Sequence, residues 1–569
     1  MNTEILGVIL MFVLTLVLAI PFGKYIAKVY SGEKSLLDFW VPLENFFFRI
    51  SGIDAKREMN WKESLVALLT INMVWFLFAM FILMNQGWLP LNPDGNPSMS
   101  ADLAFHSAIS FITNTNMQDY SGETGATYLS QLICFMFLQF VSAATGLAAA
   151  AVVFNALRER TTDKLGNFYN YFMKSLTRIL LPLSVVVAII FMVNGMPMTF
   201  EGKDTISSMQ AGNDTINVSR GPVAAMIPIK HVGTNGGGWF GANSAHPFEN
   251  PNYLTNIVEM VSQFIVPLAM VFALGFYLRR RKLAWMIFGV MTAGFLCLVI
   301  PNMVFEQHGN PEITKLGIDM GGGAMEGKEV RFGTPASAYW SILTTVISTG
   351  SNNSMHDSFM PLSGMNMMLA MMVNGFYGGC GVGILNFYIF VIIAVFISGL
   401  MVGRTPEFMG KKIEAREMKI AVVVTLLSAL LIKGGTALAA HLFADNPHWL
   451  AGWLNNPGYH GFSEILYQFT SANANNGSGF SGLGAAGSPF WNISTGIVMI
   501  LGRFLPIIGP VAIAGILAKK KYIPESAGTL KTDTLTFGIM IFAVIVVITA
   551  LSYFPALALG PLAEYFSMH

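Results

Sequence analysis

Apolar runs long enough to cross a bilayer follow one another along this chain, separated by short polar breaks. They fall at roughly 5–29, 64–86, 126–154, 177–195, 252–278, 283–305, 366–402, 419–444, 486–518 and 533–556. About twenty such residues span the hydrocarbon, so the pattern predicts ten transmembrane helices. The stretches at 366–402 and 486–518 are too long for straight crossings, which predicts that they tilt or break. A shorter helical pattern stands before spans 3, 5, 7 and 9. It reads 104–112 in the first case, 335–347 in the third, and Tyr459 through Glu464, Leu466 and Phe469 to Ser471 in the fourth. These segments are too short to span, which suits re-entrant helices. Pro335 is well placed at a helix start. Pro228 interrupts the second segment, at Ala224–Lys230, and predicts a bent or shorter helix there.

Each short helix runs into a small polar motif: Asn114-Thr115-Asn116, Gly233-Thr234-Asn235, Gly350-Ser351-Asn352 and Asn473-Ala474-Asn475. The final asparagines lie 119, 117 and 123 residues apart. A long period repeated four times predicts four copies of one unit around a common axis. The expected fold is therefore an all-α polytopic membrane protein with four membrane–pore loop–membrane repeats in pseudo-fourfold symmetry. Its divisions are 1–62 (first span and connection), 63–160, 161–281, 282–404 and 405–520 (repeats 1 to 4), and 521–569 (last span). Polar backbone at membrane depth is tolerated only where protein buries it or where it lines a wet path. Four such loops on one axis suit an ion filter, in which rings of backbone carbonyls replace the water of a cation. Glycine at 233 and 350 permits backbone angles that a Cβ forbids. No carboxylate stands in the motifs, which favours a monovalent cation over Ca²⁺.

Charge orients the chain. Only 11% of residues are charged, against about 25% in an average soluble domain. Of the 33 Lys and Arg, 25 fall in 24–62, 155–178, 279–282, 403–419 and 519–531. These connections are expected in the cytoplasm, so both termini and the four motif loops face outside. A net charge of +1 gives no reason to expect a nucleic acid partner. Glu4 with no basic segment before it makes the first run a spanning helix rather than a secretory signal. Cys134, Cys297 and Cys380 read as small core hydrophobes. Neither a phosphate-binding loop nor a metal-ligand cluster stands out, so no nucleotide is expected to bind this chain. ATP, if it powers transport, binds another polypeptide.

Two further features carry chemistry. Arg503 lies deep in span 9, where a charge costs about 2.5–3.5 kcal/mol even on lenient scales. It reads as an electrostatic barrier or coupling element beneath the filter, and its neighbours Gly502 and Pro506 predict a helix break. In span 7, Gly375-Phe376-Tyr377-Gly378-Gly379-Cys380-Gly381-Val382-Gly383 holds five glycines in nine residues. That density predicts an unwound or kinked segment, with Gly378, Gly379 and Gly381 as candidate gating residues.

The stretches Thr113-Asn114-Thr115-Asn116-Met117-Gln118, Val232-Gly233-Thr234-Asn235-Gly236-Gly237-Gly238, Ser348-Thr349-Gly350-Ser351-Asn352-Asn353 and Ser471-Ala472-Asn473-Ala474-Asn475-Asn476-Gly477 closely resemble the filter motifs of the KdpA family. The resemblance covers essentially the whole chain. It implies a K⁺-selective, non-catalytic subunit of a bacterial P-type pump in the inner membrane, acting in high-affinity K⁺ uptake. It also implies a KdpB-like subunit that hydrolyses ATP, a single-span KdpC-like subunit and a small KdpF-like membrane peptide. It associates Arg503 with coupling, Gln118 with the ion path and the span 7 glycines with an intramembrane gate. Where the family leads one to expect an acidic residue, this chain has Asn374. A stand-alone Trk-type transporter shares the fourfold plan but not spans 1 and 10 or the extended Asn-rich motifs. A secondary symporter would show a twofold repeat instead. Gly233→Asp is expected to put a charge into the ring and weaken K⁺ uptake and K⁺/Na⁺ preference without unfolding the chain. Uptake assays with both ions check this, and a normal preference would remove Gly233 from the filter.

Overall fold

The computed structural model describes residues 3–207, 215–401, 403–445, 454–480, 483, 487–524 and 531–568. Among these, ten helices are long and apolar enough to cross a membrane. They are Ile5–Ser31, Trp61–Asn85, Ser130–Arg158, Phe168–Val193, Tyr253–Tyr277, Arg281–Lys315, Val382–Met401, Ala415–Ala444, Pro489–Lys519 and Leu535–Ser567, numbered here as spans 1 to 10. The chain is a multi-pass membrane protein. Polar residues set several helix starts. The Asn60 side chain accepts from the N–H groups of Lys62 and Glu63, while Glu63 accepts from the Asn60 N–H at 2.8 Å. Asn252 and Thr255 close the same reciprocal cap on span 5. Each cap satisfies N–H groups that a helix leaves open at its first turn.

Burial sorts the spans into two shells. Spans 3, 5, 7 and 9 have 67% to 83% of their most apolar stretch buried, whereas spans 2, 4, 6 and 8 have 22% to 44%. Each repeat is thus an outer helix, a short pore helix, a polar loop and an inner helix. Small residues such as Ala143, Ala144 and Ala148–Ala151 let span 3 pack closely at the centre. Spans 1 and 10 are only 22% and 28% buried. Span 1 lies along span 5, and span 10 against spans 6 and 7. They face lipid outside the fourfold core.

The five basic connections meet at one end of the molecule. There the Met59 N–H bonds to the Gly166 carbonyl at 2.7 Å, the Thr162 N–H to Ala518 at 3.0 Å, and Lys411 Nζ to the Lys520 carbonyl at 2.7 Å. At the opposite end Gly7 approaches the Tyr253 hydroxyl, and Glu564 meets His460 at the start of the fourth pore helix. Both ends of the described chain therefore lie on the side of the polar loops. The pore helices are Ala101–Ile112, Val223–Val232, Gly333–Val346 and Gly458–Asn473. The second, with Pro228 inside it, is the shortest.

Span 7 is broken. A helix at Pro361–Val373 stops, residues 374–381 run without helix, and Val382–Met401 resumes. Span 9 does not break. It runs unbroken over 31 residues through Pro506 and Pro510. Gly502 serves close approach instead, because a Cβ there would fall on the Asn473 carbonyl.

On the basic side a short helix at Val41–Ile50 exposes Phe46, Phe47 and Ile50, a pattern that suits a helix lying at a membrane interface. Arg178 holds it, with Nη2 2.6 Å and Nε 2.8 Å from the two oxygens of Glu44. Burial would raise the Glu44 carboxyl, but hydrogen bonds from Arg178 and Thr177 keep it below the usual carboxylate range. Arg178→Ala strands a buried charge, a change that costs about 3–5 kcal/mol. It is expected to lower the thermal midpoint in detergent clearly more than Arg178→Lys does, as read by the loss of helical circular dichroism on heating.

Candidate functional site

The four polar loops share one backbone. The second residue beyond each pore helix has positive φ: Asn114 (63°), Thr234 (47°), Ser348 (51°) and Asn475 (52°). Two residues later it is positive again, at Asn116 (55°), Gly236 (77°), Gly350 (79°) and Gly477 (89°). Between them, the N–H groups of Thr115, Asn235, Thr349 and Asn476 each return to a pore-helix carbonyl five residues back, at 2.8 to 3.0 Å. This repeated bond puts Asn114-Thr115-Asn116 in register with Thr234-Asn235-Gly236, Ser348-Thr349-Gly350 and Asn475-Asn476-Gly477. Alignment on the asparagines gives a different register. In the structure Gly233 caps the second pore helix, Asn473 ends the fourth and Ala474 caps it, while Ser351 and Asn352 follow the left-handed Gly350. All of these residues are buried near the loop ring.

The loops close that ring in the order 1–2–3–4–1. Asn114 Nδ2 donates to the carbonyls of Thr234 (2.7 Å) and Gly233 (3.3 Å), and Asn235 Nδ2 returns to Asn114 Oδ1 at 2.7 Å. Gln118 exchanges two bonds with Gly238, at 3.0 and 2.7 Å. Glycine makes the next three junctions. A Cβ on Gly236 would fall on the Thr349 carbonyl, one on Gly350 on the Asn476 carbonyl, and one on Gly477 on the Thr115 carbonyl. Asn352 Nδ2 reaches the Ser478 carbonyl at 3.1 Å, and Asn475 Nδ2 the Thr115 hydroxyl at 3.0 Å. At the first loop Asn116 takes the place of glycine, and Gly237 lies opposite, where a Cβ would come within 3.2 Å of the Asn116 Cβ and carbonyl oxygen.

Buried pairs brace the ring from behind. Lys230 Nζ lies 2.7 Å from Glu249 and 2.8 Å from the Ser244 hydroxyl, and it also bonds Asn243. Lys328 pairs with Glu306 at 2.8 Å. Trp340 donates to the Ser351 carbonyl at 2.6 Å. Above the ring is a cavity of about 340 Å³, lined by Asn116, Gln118, Asn243, Asn352, Ser354 and Ser478 among others. Among the described residues the side-chain amide of Asn116 has no hydrogen-bond partner.

Below the ring lies the unwound part of span 7. The Gly378 N–H bonds to the last carbonyl of the third pore helix, Val346, at 3.2 Å, and the Cys380 N–H to the Thr234 hydroxyl at 2.8 Å. Gly379 lies against that same hydroxyl, and Gly381 against the Gly146 carbonyl of span 3. Asn374, left-handed at φ 42°, accepts from the Ser348 hydroxyl at 2.9 Å and donates to the Ala474 carbonyl at 3.3 Å. It thus ties loops 3 and 4 from beneath. Arg503 is buried beside Gly146, and among the described residues its one hydrogen bond is to the Ser142 carbonyl at 3.3 Å. No carboxylate pairs with it there. A cavity of about 50 Å³ between Asn374, Asn386, Asn473 and Gly502 opens at this level.

A family model described as potassium-transporting ATPase A subunit, KdpA, matches residues 9–566. The chain belongs to the KdpA family. Its relatives include the potassium-transporting ATPase potassium-binding subunits of Flavobacterium psychrophilum, 66% identical, and Flavobacterium johnsoniae, 67% identical, each over the full length of both chains. The Geobacillus kaustophilus subunit is 44% identical over 98% of both. Among solved structures, the potassium transporter TrkH of Vibrio parahaemolyticus superposes with a TM-score of 0.51 at 14% identity, over 89% of this chain and 98% of that one. This KdpA-family chain thus shares its fold with a distant transporter. Gly350→Ala and Gly477→Ala each press a Cβ on the next loop's carbonyl. Both are expected to weaken K⁺ binding about tenfold or more, which corresponds to ~1.4 kcal/mol, with the helical spans intact. Equilibrium K⁺ titration alongside circular dichroism checks this.

Proposed function

We propose that this chain selects K⁺ and passes it inward as the channel-like subunit of an ATP-driven uptake complex in the bacterial inner membrane. The observation that carries the reading is the closed ring of four loops with one repeated backbone and no carboxylate of its own. Residues of alternating handedness bring successive peptide groups to one side of a chain, so four such loops offer stacked rings of carbonyl oxygens to a dehydrated cation. Asn114, Asn235, Asn352 and Asn475 spend their amides on neighbouring loops, which keeps the ring's diameter set. The pore helices end at the ring, and their negative ends favour a cation there.

The parts beneath the ring stop a free leak. Residues 374–381 cross under loops 2 and 3, and the unpaired charge of Arg503 repels a cation leaving the ring. K⁺ would pass only when the Gly378–Gly381 segment shifts. The energy comes from a partner: a KdpB-like P-type subunit hydrolyses ATP, and KdpC-like and KdpF-like subunits complete the assembly. No nucleotide binds this chain on this reading. A stand-alone transporter of the Trk type is the second reading, favoured by the shared fold. The extra spans 1 and 10 argue for the first, since they enlarge the lipid-side surface on which subunits can dock.

The test is K⁺ uptake from micromolar external K⁺ in bacteria stripped of their own importers. Uptake is expected only when the chain is expressed together with its ATPase and small subunits. Comparable uptake by the chain alone would overturn the pump-subunit reading.

A further inference from the structure

Away from the ion path, at the same end of the molecule as the outer cavity, four ionisable side chains from three parts of the chain converge. Asp357 lies in the short turn His356–Ser358 after loop 3, His460 and Glu464 on the first turns of the fourth pore helix, and Glu564 on the last helical segment. A ring nitrogen of His460 and one oxygen from each of Asp357 and Glu464 lie within 4.8 Å of one another. His460 Nε2 is 2.8 Å from Asp357 Oδ1, and its Nδ1 is 2.7 Å from Glu564 Oε1.

Asn456 arranges the two carboxylates by occupying one oxygen of each. Its amide donates to Asp357 Oδ2 at 3.2 Å and Glu464 Oε1 at 2.9 Å, and its backbone N–H reaches Glu464 Oε1 at 3.1 Å. That leaves Asp357 Oδ1 and Glu464 Oε2 turned to other use. Glu464 is fully buried, and among the described residues its Oε2 has no hydrogen-bond partner. A buried carboxylate oxygen without a partner is costly, and a cation beside it removes the cost. His460 and Glu564 are each 19% exposed, so water reaches the cluster from outside.

We propose that Asp357, His460 and Glu464 form a binding site for a divalent transition-metal ion of the Zn²⁺ type at the outer rim. One imidazole and two carboxylates suit a borderline ion, and three protein ligands leave a position for water. Glu564, hydrogen-bonded to the far ring nitrogen, is the positioning residue that orients a metal-bound histidine and raises its basicity. Ligation needs the imidazole nitrogen that faces Asp357 without its proton, so metal and proton compete for it. Bound there, the metal clips the turn after loop 3 to the fourth pore helix, and through Glu564 to the last span.

The experiment is a Zn²⁺ titration by calorimetry of the full-length chain in detergent, after chelator treatment, with Co²⁺ absorption as a second readout of the donor set. One ion per chain is expected. Asp357→Asn, Glu464→Gln and Glu564→Gln keep shape and should each weaken binding by about 10–100-fold. Zn²⁺ should raise the thermal midpoint of the wild type but not that of Glu464→Gln. No binding by a folded wild type, or binding that these variants leave unchanged, overturns the proposal and leaves a proton-held ion-pair cluster.

Discussion

Backbone that leaves a helix at membrane depth must find its hydrogen bonds in neighbouring protein, because lipid supplies none. Four loops here do so, and each depends on the next. The Asn114 amide serves the second loop, and Asn235 returns the bond to Asn114. Gly236, Gly350 and Gly477 each lie where the following loop's carbonyl occupies the space of a Cβ. A shift in one loop therefore has to be passed around the ring. On the proposed reading, this mutual constraint is what holds the carbonyl rings of the filter in place.

The rest of the architecture serves that ring. Pore helices deliver the loops, buried pairs such as Lys230–Glu249 and Lys328–Glu306 hold the loops' outer sides, and inner spans rich in alanine and glycine let everything approach closely. Below, the chain gives up a helix in span 7 so that Gly378 and Cys380 can touch the undersides of loops 3 and 2. Glycine density permits that unwinding, and hydrogen bonds to Val346 and Thr234 repay the lost helical ones. Arg503 sits at the same depth, and among the described residues its partner is a carbonyl and not a carboxylate. A neutral ring above that positive charge would give the proposed ion path an electrostatic polarity that no single loop carries.

Much of this was legible in the sequence. Hydropathy located the ten spans, but span 4 starts nine residues before its apolar run, spans 6 and 10 continue ten and eleven residues past theirs, and span 7 is broken where the glycine run marked it. The basic connections identified one end of the molecule, and the structure gathers them there. The register of the loops was not legible. An asparagine of every motif bonds a neighbouring loop but from a different backbone position, two residues beyond the pore helix at 114 and 475, three at 235 and six at 352, so aligning asparagines does not align backbones. The break expected near Pro506 was misjudged for a related reason. Gly502 and Pro506 look alike as helix breakers in one dimension, whereas Gly502 is small because the Asn473 carbonyl lies against it.

What the sequence determined alone was everything set by solvent: which segments enter the bilayer, which side the basic loops face, and that four polar breaks must be sheltered. Those follow from transfer of side chains between water and lipid, which each segment undergoes by itself. The tertiary structure decided which residues occupy equivalent places in the ring, what lies under it, and that Asp357, His460, Glu464 and Glu564 meet at its rim. These depend on contacts between residues a hundred or more positions apart, and only the packed repeats bring those positions together.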